Sequence, residues 1–273
     1  MSTITPQAVT TAGDPRLHDY RNLTDIPGRR RLEGDQFFIC EGPVAIERLF
    51  TSGHQIRSAL VLHEKAPRLQ ELYAAHDVNA PLFTCDRDTM IAVTGFDLHR
   101  GVIAAADRKP IPTGSQRNDV LAGLSKIAVL EGLNDPENLG AIARSAHALG
   151  VQALVLDERC IDPYTRRSVR VSMGEVLHVP TMRFTSADDL NGLLFRDAFP
   201  EHVREQVVVG RQATIHGKLS VQPLKLSVPH TARACRGCVA IAHALPGPSA
   251  PPARGVRLCD GKIQSEAPID VGG

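Results

Sequence analysis

Short apolar runs alternate with amphipathic segments along the first two thirds of the chain, and this pattern predicts strands and helices in turn. The run FFICEG at 37–42 favours a strand, and PVAIERLF after it favours a helix with Pro43 in its first turn. Strands that alternate with helices indicate a layered α/β protein. The further elements predicted in this way are strands at 56–62, 81–85, 101–107, 126–132, 151–157 and 175–180, and helices at 66–76, 86–93, 138–149 and about 186–196.

The two ends of the chain and one internal stretch break the alternation. Residues 1–32 are predicted to be a flexible lead-in, and residues 109–124, rich in Pro, Gly, Ser and Asn, a linker between domains at 33–108 and 125–205. The last aromatic residue is Phe199, and prolines accumulate after it, which disfavours a packed core. We hypothesise that 206–273 form an atypical tail, either read in a shifted frame or disordered. Translating the encoding DNA in its other frames tests the first alternative.

Composition limits the classes of protein to consider. The 273 residues, 42% of them hydrophobic, suffice for one large or two small domains. A net charge of +1 gives no overall basic field, so any contact with nucleic acid must come from local patches. The polar N-terminal stretch lacks the apolar core of a signal peptide, and no apolar run approaches the length of a membrane span. We therefore expect a cytoplasmic protein that does not bind a membrane.

The six cysteines do not point to a disulfide framework or a metal centre. Without an export signal they are best interpreted as reduced thiols. Cys235 and Cys238 have the spacing of one half of a tetrahedral zinc site, with Cys259, His230 and His243 as further candidates. A matching second pair is missing, so no metal is expected.

The segment LEGLNDPENLGAIARSAHALG at 130–150 carries the most specific pattern. It predicts a strand, a polar loop and a helix that opens at Asn138, a good N-cap because its side chain can accept an N–H of the first turn. Gly140 permits close backbone approach, and Gly150 suits the position after the helix. Arg144 is alone among small apolar residues, so it needs an anionic partner or water, and a phosphate or ribose fits.

A second segment, DPYTRRSVRVSMGEVLHVP at 162–180, follows in order. Its basic run contains Arg166, Arg167 and Arg170, of which the first and last share one face of a helix. These arginines are candidates for contact with RNA phosphates; a solvated basic face is the alternative. Ser172 and Gly174 are expected to shape a tight turn.

The two segments together resemble the SpoU/TrmH family of RNA 2′-O-ribose methyltransferases. The first family motif, Asn then G-x-I-x-R-x-A, is matched by Asn138, Gly140, Ile142, Arg144 and Ala146. The second, a basic run and then R-x-S-x-G, is matched by Arg170, Ser172 and Gly174, with Pro180 closing the apolar stretch. Residues 33–108 resemble the small ribosomal-protein-like RNA-binding domain that precedes the catalytic domain, through Glu41–Gly42 and His99–Ala105.

The resemblance implies a SPOUT α/β-knot fold and S-adenosylmethionine-dependent methylation of a ribose in structured rRNA or tRNA, rather than DNA. It implies that Arg144 helps to activate the 2′-hydroxyl and that Asn138 positions it. A guanidinium is a poor base, so Arg144 could instead orient an RNA phosphate. The resemblance also implies a homodimer, and Ser172 and Gly174 lie beside the cofactor region of the family.

The family's remaining motifs, G-x-E-G-x-G-L and I-P-M…S-L-N-V-S, are not found in this sequence. The resemblance therefore covers about 33–196, and the methyltransferase domain is predicted to be incomplete at its C-terminus. The residues that would bind the cofactor are unknown, apart from the candidates Ser172 and Gly174. An alternative function follows, a catalytically inactive or truncated family member that binds RNA without cofactor.

Overall fold

The computed structural model describes residues 4–121, 124, 126–186, 189–190 and 193, and the backbone of five strands between 207 and 268. The chain forms two compact units. The first contains Met1–Pro110, Gly140–Arg144 and Asp162–His178, and the second contains Ile111–Leu139, Ser145–Ile161 and Val179–Gly273. The predicted α/β class is confirmed. Among the described residues, no helix has both the length and the apolar character that a membrane span requires.

The first unit is built on a five-stranded mixed sheet. Its spatial order is β1-β4-β3-β5-β2, so β2 is an edge strand paired antiparallel with β5. Its core joins the apolar side chains of this sheet to those of the N-terminal segment, including Leu17, Tyr20 and Phe37. The strands are β1 (Gln7–Ala8), β2 (Phe37–Glu41), β3 (Ile56–Leu62), β4 (Leu82–Cys85) and β5 (Val102–Asp107).

Within the described residues, the α-helices that begin at Pro43, Ala66, Arg87 and Pro136 match predicted helices, whereas Ile26–Glu33 and Gln116–Leu121 lie in the predicted lead-in and linker. Pro43 does occupy the first turn of its helix, where its missing N–H has no intrahelical partner to lose. The helices are α1 (Ile26–Glu33), α2 (Pro43–Thr51), α3 (Ala66–Ala75), α4 (Arg87–Thr94), α5 (Gln116–Leu121), α6 (Pro136–Ala148) and α7 (Arg166–Val171).

The predicted flexible lead-in is wrong for residues 4–32. Leu17 and Tyr20 lie in a 3-10 helix, Pro15–Tyr20, and both are fully buried. The Tyr20 hydroxyl and the Ser58 hydroxyl of β3 are 2.6 Å apart and form a buried hydrogen bond. The apolar residues of this segment are too widely spaced to give a periodic signal, yet Val9, Leu17, Tyr20 and Leu23 are buried in the core.

The second unit contains a six-stranded sheet of order β10-β9-β11-β6-β7-β8. Neighbouring strands are parallel except β9 and β10. The predicted strands at 126–132 and 151–157 are confirmed as β6 and β7, whose side chains are buried as expected for the centre of a parallel sheet. The strands are β6 (Lys126–Glu131), β7 (Ala153–Asp157), β8 (Thr181–Phe184), β9 (Val207–Ile215), β10 (Lys218–Pro223) and β11 (Cys238–Ala244), and a separate hairpin pairs β12 (Arg254–Cys259) with β13 (Lys262–Pro268).

The strand predicted at 175–180 is wrong. Glu175–Leu177 form a 3-10 helix, and β8 begins only at Thr181. Met173 and Gly174 both have positive φ angles, 56° and 85°, which turn the chain just before the apolar residues. Val176 and Leu177 are therefore buried as part of this 3-10 helix and not as part of a strand.

The domain boundaries remain a prediction. Residues 140–144 and 162–178, predicted within the second domain, group with the first unit, and the predicted linker contains α5, whose Leu121 is fully buried. In the predicted tail, only the backbone of β9–β13 is described. Whether the tail has a packed core depends on side chains that lie outside the described part of the chain. The side chains of the zinc candidates in that tail lie outside it too.

Candidate functional site

The first signature segment lies on α6, whose N-terminus differs from the prediction. The N-cap is Asp135, not Asn138, and its carboxylate accepts a hydrogen bond from the Glu137 N–H at 2.8 Å. The Asp-Pro pair supplies both an acceptor and a proline at the first helical position, so the helix opens earlier. Gly150 ends the helix as predicted, with φ at 74° and its N–H bonded to the His147 carbonyl at 2.9 Å.

Gly140 is a point of close approach between α6 and α7. A Cβ at this position would lie 2.7 Å from the Ser168 carbonyl oxygen, 2.9 Å from the Val171 Cβ and 3.0 Å from the Ser172 nitrogen. Two of these three atoms belong to the backbone, so a side-chain rotation could not make room. The predicted close backbone approach is confirmed, because only glycine lets α6 rest on α7 at this distance.

Arg144 lies one turn after Gly140 on the same face of α6. It is exposed to solvent, and within the described part of the chain its guanidinium makes no hydrogen bond or ion pair. The face of α6 that packs on α7 at Gly140 therefore also carries the Arg144 guanidinium, which is exposed to solvent. An anion from outside the chain could bind there.

Asn138, the second predicted catalytic residue, is half-buried in the first turn of α6. Its position and that of Arg144 differ by about 120° around the helix axis and by about 9 Å along it. The helix thus does not bring these two side chains together by itself. A joint role requires an extended ligand.

The α7 arginines converge on one carboxylate of the first unit. Arg166 and Arg170 both donate to Glu41, which ends β2, with the Arg170 Nη1 at 3.4 Å from Glu41 Oε1. Arg166 also lies over the Phe96 ring, 4.8 Å from its centroid. The predicted shared helix face is confirmed for these two arginines, and Arg167 is exposed. Arg166 and Arg170 together carry one more positive charge than the carboxylate that they share.

Ser172 and Gly174 form the tight turn that the sequence predicts. The Ser172 hydroxyl is fully buried, donates to the Val169 carbonyl at 3.0 Å and accepts from the Val176 N–H at 3.4 Å. A Cβ on Gly174 would lie 3.0 Å from the Ala45 carbonyl oxygen of α2. Both residues are therefore engaged in the packing of the first unit, and their candidate contact with the cofactor stays a prediction.

Sequence reasoning missed the residues that anchor the chain just before α7. Arg108 pairs with Asp162 at 2.5 Å and lies over the Tyr164 ring, 5.1 Å from its centroid. Tyr164 in turn contacts the ring of Phe38 in β2, with centroids 4.9 Å apart. Arg108 and Asp162 are 54 positions apart, and no local pattern signals such a pair. Only the family-like Glu41–Gly42 pair could have drawn attention to this neighbourhood.

Comparison with known proteins shows what the chain is similar to. Residues 125–198 match the SpoU rRNA methylase family. An uncharacterised tRNA/rRNA methyltransferase of Mycobacterium tuberculosis is 44% identical over 179 residues, which are 65% of this chain and 60% of that relative. The chain thus spans about 60% of the length of the curated relatives that it matches. These findings show that the chain is similar to RNA methyltransferases of the SpoU/TrmH family.

Solved structures show the same fold. The AdoMet-bound rRNA methyltransferase of Sinorhizobium meliloti is similar with a TM-score of 0.57 at 21% identity, covering 90% of this chain and 92% of that one. An RNA 2′-O ribose methyltransferase is similar with a TM-score of 0.56 at 23% identity, covering 87% and 81%. At these identities the likeness concerns the fold alone, and it agrees with the α/β architecture described above.

Proposed function

We propose that this protein catalyses S-adenosylmethionine-dependent 2′-O-methylation of a ribose in structured rRNA or tRNA. The observation that carries the proposal is Arg144, an exposed cation without a partner in the described residues, on the face of α6 that Gly140 packs against α7. The family supplies the reaction class, and the printed name of one structural neighbour supplies the 2′-O position.

Arg144 acts where the substrate oxygen develops negative charge. A ribose hydroxyl is a weak nucleophile, so transfer requires that its proton leave and that the resulting charge be stabilised. A guanidinium has a pKa above about 12 and makes a better hydrogen-bond donor to that oxygen, or to the adjacent phosphate, than a base. Asn138 contributes through a side-chain amide that can both donate and accept.

The arginines of α7 bind the RNA backbone in this proposal. Arg166 is 29% exposed and Arg170 is 43% exposed, so both present part of their guanidinium to solvent beside exposed Arg167. Guanidinium groups match phosphate oxygens in a bidentate geometry. A local patch of this kind supplies the contact that a net charge of +1 does not supply globally.

The cofactor assignment is tested by its own experiment. S-adenosylmethionine carries an already activated methyl group on a sulfonium, so the reaction needs no metal. Calorimetric titration of the full chain with S-adenosylmethionine is the direct test. Saturable micromolar binding, with transfer of labelled methyl to bulk tRNA or rRNA, supports the proposal. No binding by folded protein overturns it.

A second function has its own motivation. The sequence lacks the two family motifs that the resemblance associates with the cofactor. An inactive or truncated family member would bind RNA without cofactor. In one and the same preparation, it would retain affinity for RNA and show no heat of S-adenosylmethionine binding. We further propose a homodimer in the cytoplasm, which sedimentation and cell fractionation test.

A further inference from the structure

Glu41 is a buried carboxylate shared by two cations. Its side chain is 7% exposed at the end of edge strand β2, and each of its oxygens accepts a hydrogen bond from a different arginine of α7. Burying a carboxylate is unfavourable unless it is paired and hydrogen-bonded, and here both arginines compensate it. The carboxylate thus links β2 of the sheet to the basic helix.

The arginines keep most of their donors for another partner. A guanidinium has five N–H groups, and within the described residues Glu41 is the acceptor for one nitrogen of Arg166 and one of Arg170. The Phe96 ring beneath Arg166 restricts that side chain further. Two cations that share one carboxylate therefore carry net positive charge and a fixed orientation.

We infer that Glu41 is a positioning residue for RNA binding: its carboxylate orients Arg166 and Arg170 so that their remaining N–H groups meet the phosphates of the RNA backbone. This inference rests on the proposed RNA-binding role of α7. Arginine loses side-chain entropy when it binds a phosphate, and a side chain that is already oriented loses less of it. Glu41 thereby strengthens binding to an anion although it carries a negative charge itself.

The sign of one measurement separates positioning from simple electrostatics. Glu41→Gln raises the net charge by one, so electrostatics alone predicts tighter binding of bulk tRNA. Positioning predicts weaker binding, by about five- to tenfold, the size of one typical net hydrogen bond. It also predicts that the slope of log affinity against log salt falls in magnitude by about 1, because about one phosphate contact is lost.

Glu33→Gln is the matched control. It removes the same charge from another largely buried arginine pair, Arg29–Glu33, whose arginine side chain is only 7% exposed. That arginine offers little surface to a phosphate, so tRNA affinity should not fall in this variant. Circular dichroism establishes that each variant is folded. Glu41→Asp, which retracts the carboxylate by one methylene at unchanged charge, should also weaken binding and serves if Glu41→Gln does not fold.

Arg166→Ala and Arg170→Ala test the RNA-binding surface of α7 separately from the positioning role of Glu41. If neither changes tRNA affinity, the proposed RNA surface is wrong. If both weaken binding while Glu41→Gln and Glu41→Asp leave it unchanged or tighter, the surface stands and the positioning role is overturned. In the double variant that lacks both arginines, adding Glu41→Gln should weaken binding no further.

Discussion

The contact between α6 and α7 predicts that Gly140→Ala lowers the free energy of unfolding, whereas helix propensity alone predicts that it raises it. Gly140→Ala would place its Cβ 2.7 Å from the Ser168 carbonyl oxygen and 3.0 Å from the Ser172 nitrogen, so α7 would have to move by roughly half an ångström or more. Overpacking of this kind costs about 1–3 kcal/mol, and a clash with backbone belongs near the upper end. Helix propensity favours alanine over glycine by about 1 kcal/mol. We expect net destabilisation of about 2 kcal/mol.

Urea denaturation followed by far-UV circular dichroism measures this change, and α6 supplies its own reference. The difference between Arg144→Ala and Arg144→Gly gives the propensity term at an exposed position one turn away, where no clash occurs. If α6 did not rest on α7, Gly140→Ala would stabilise the protein by that same difference. Such a result would refute the packing of Gly140 against α7.

Three further predictions concern the reaction, pH and the anchor before α7. Arg144→Ala should abolish methyl transfer with S-adenosylmethionine affinity and melting temperature nearly unchanged, because its side chain is exposed; full activity in a transfer assay would remove Arg144 from the mechanism. Burial lowers the pKa of His54 from 6.5 to about 4, so the unfolded chain binds more protons between these values, and stability should fall by up to about 3 kcal/mol as the pH drops through them. His54→Asn keeps an N–H donor for the Asp107 carbonyl, 2.9 Å from Nδ1, and should flatten that part of the pH profile of the urea midpoint; an unchanged profile would mean that another group titrates. Arg108→Met should cost about 3 kcal/mol, because it leaves the Asp162 carboxylate without its cation, whereas Arg68→Met at an exposed pair should cost under about 1 kcal/mol; equal losses in denaturation would contradict the buried anchor.

The sequence pattern was sufficient for elements that depend on neighbouring residues alone. The strands β2, β6 and β7 contain short apolar runs that end at polar or turn residues, and β3 ends in such a run, so length and apolar character were sufficient to locate them. The end of α6 was predictable for the same reason, because glycine after an apolar helix can adopt the left-handed conformation without a Cβ penalty. The helix start at Asp135 was missed because Asn138, three positions later, is also a residue type that caps helices, and Pro136 favours the earlier start.

Tertiary contacts account for the remaining errors. The lead-in is ordered because Leu17 and Tyr20 reach the core of the first unit, and isolated apolar residues carry no period that would reveal this. The segment 175–180 has the composition of a strand, but the positive φ angles at Met173 and Gly174 turn it into a 3-10 helix first. Glu41 could not be assigned a partner from sequence, because the arginines that it binds are 125 and 129 positions away.

The motif positions divide by whether the fold itself needs them. Gly140 is required by the backbone of α7, Gly174 by the backbone of α2, and Ser172 fills its hydrogen bonds inside the first unit. Each of these residues would be selected by packing even in a chain without activity. Arg144 is different, because no described residue pairs with it and its removal costs the fold little. In the proposed function its partner is the RNA substrate, so its substitution tests that function most directly.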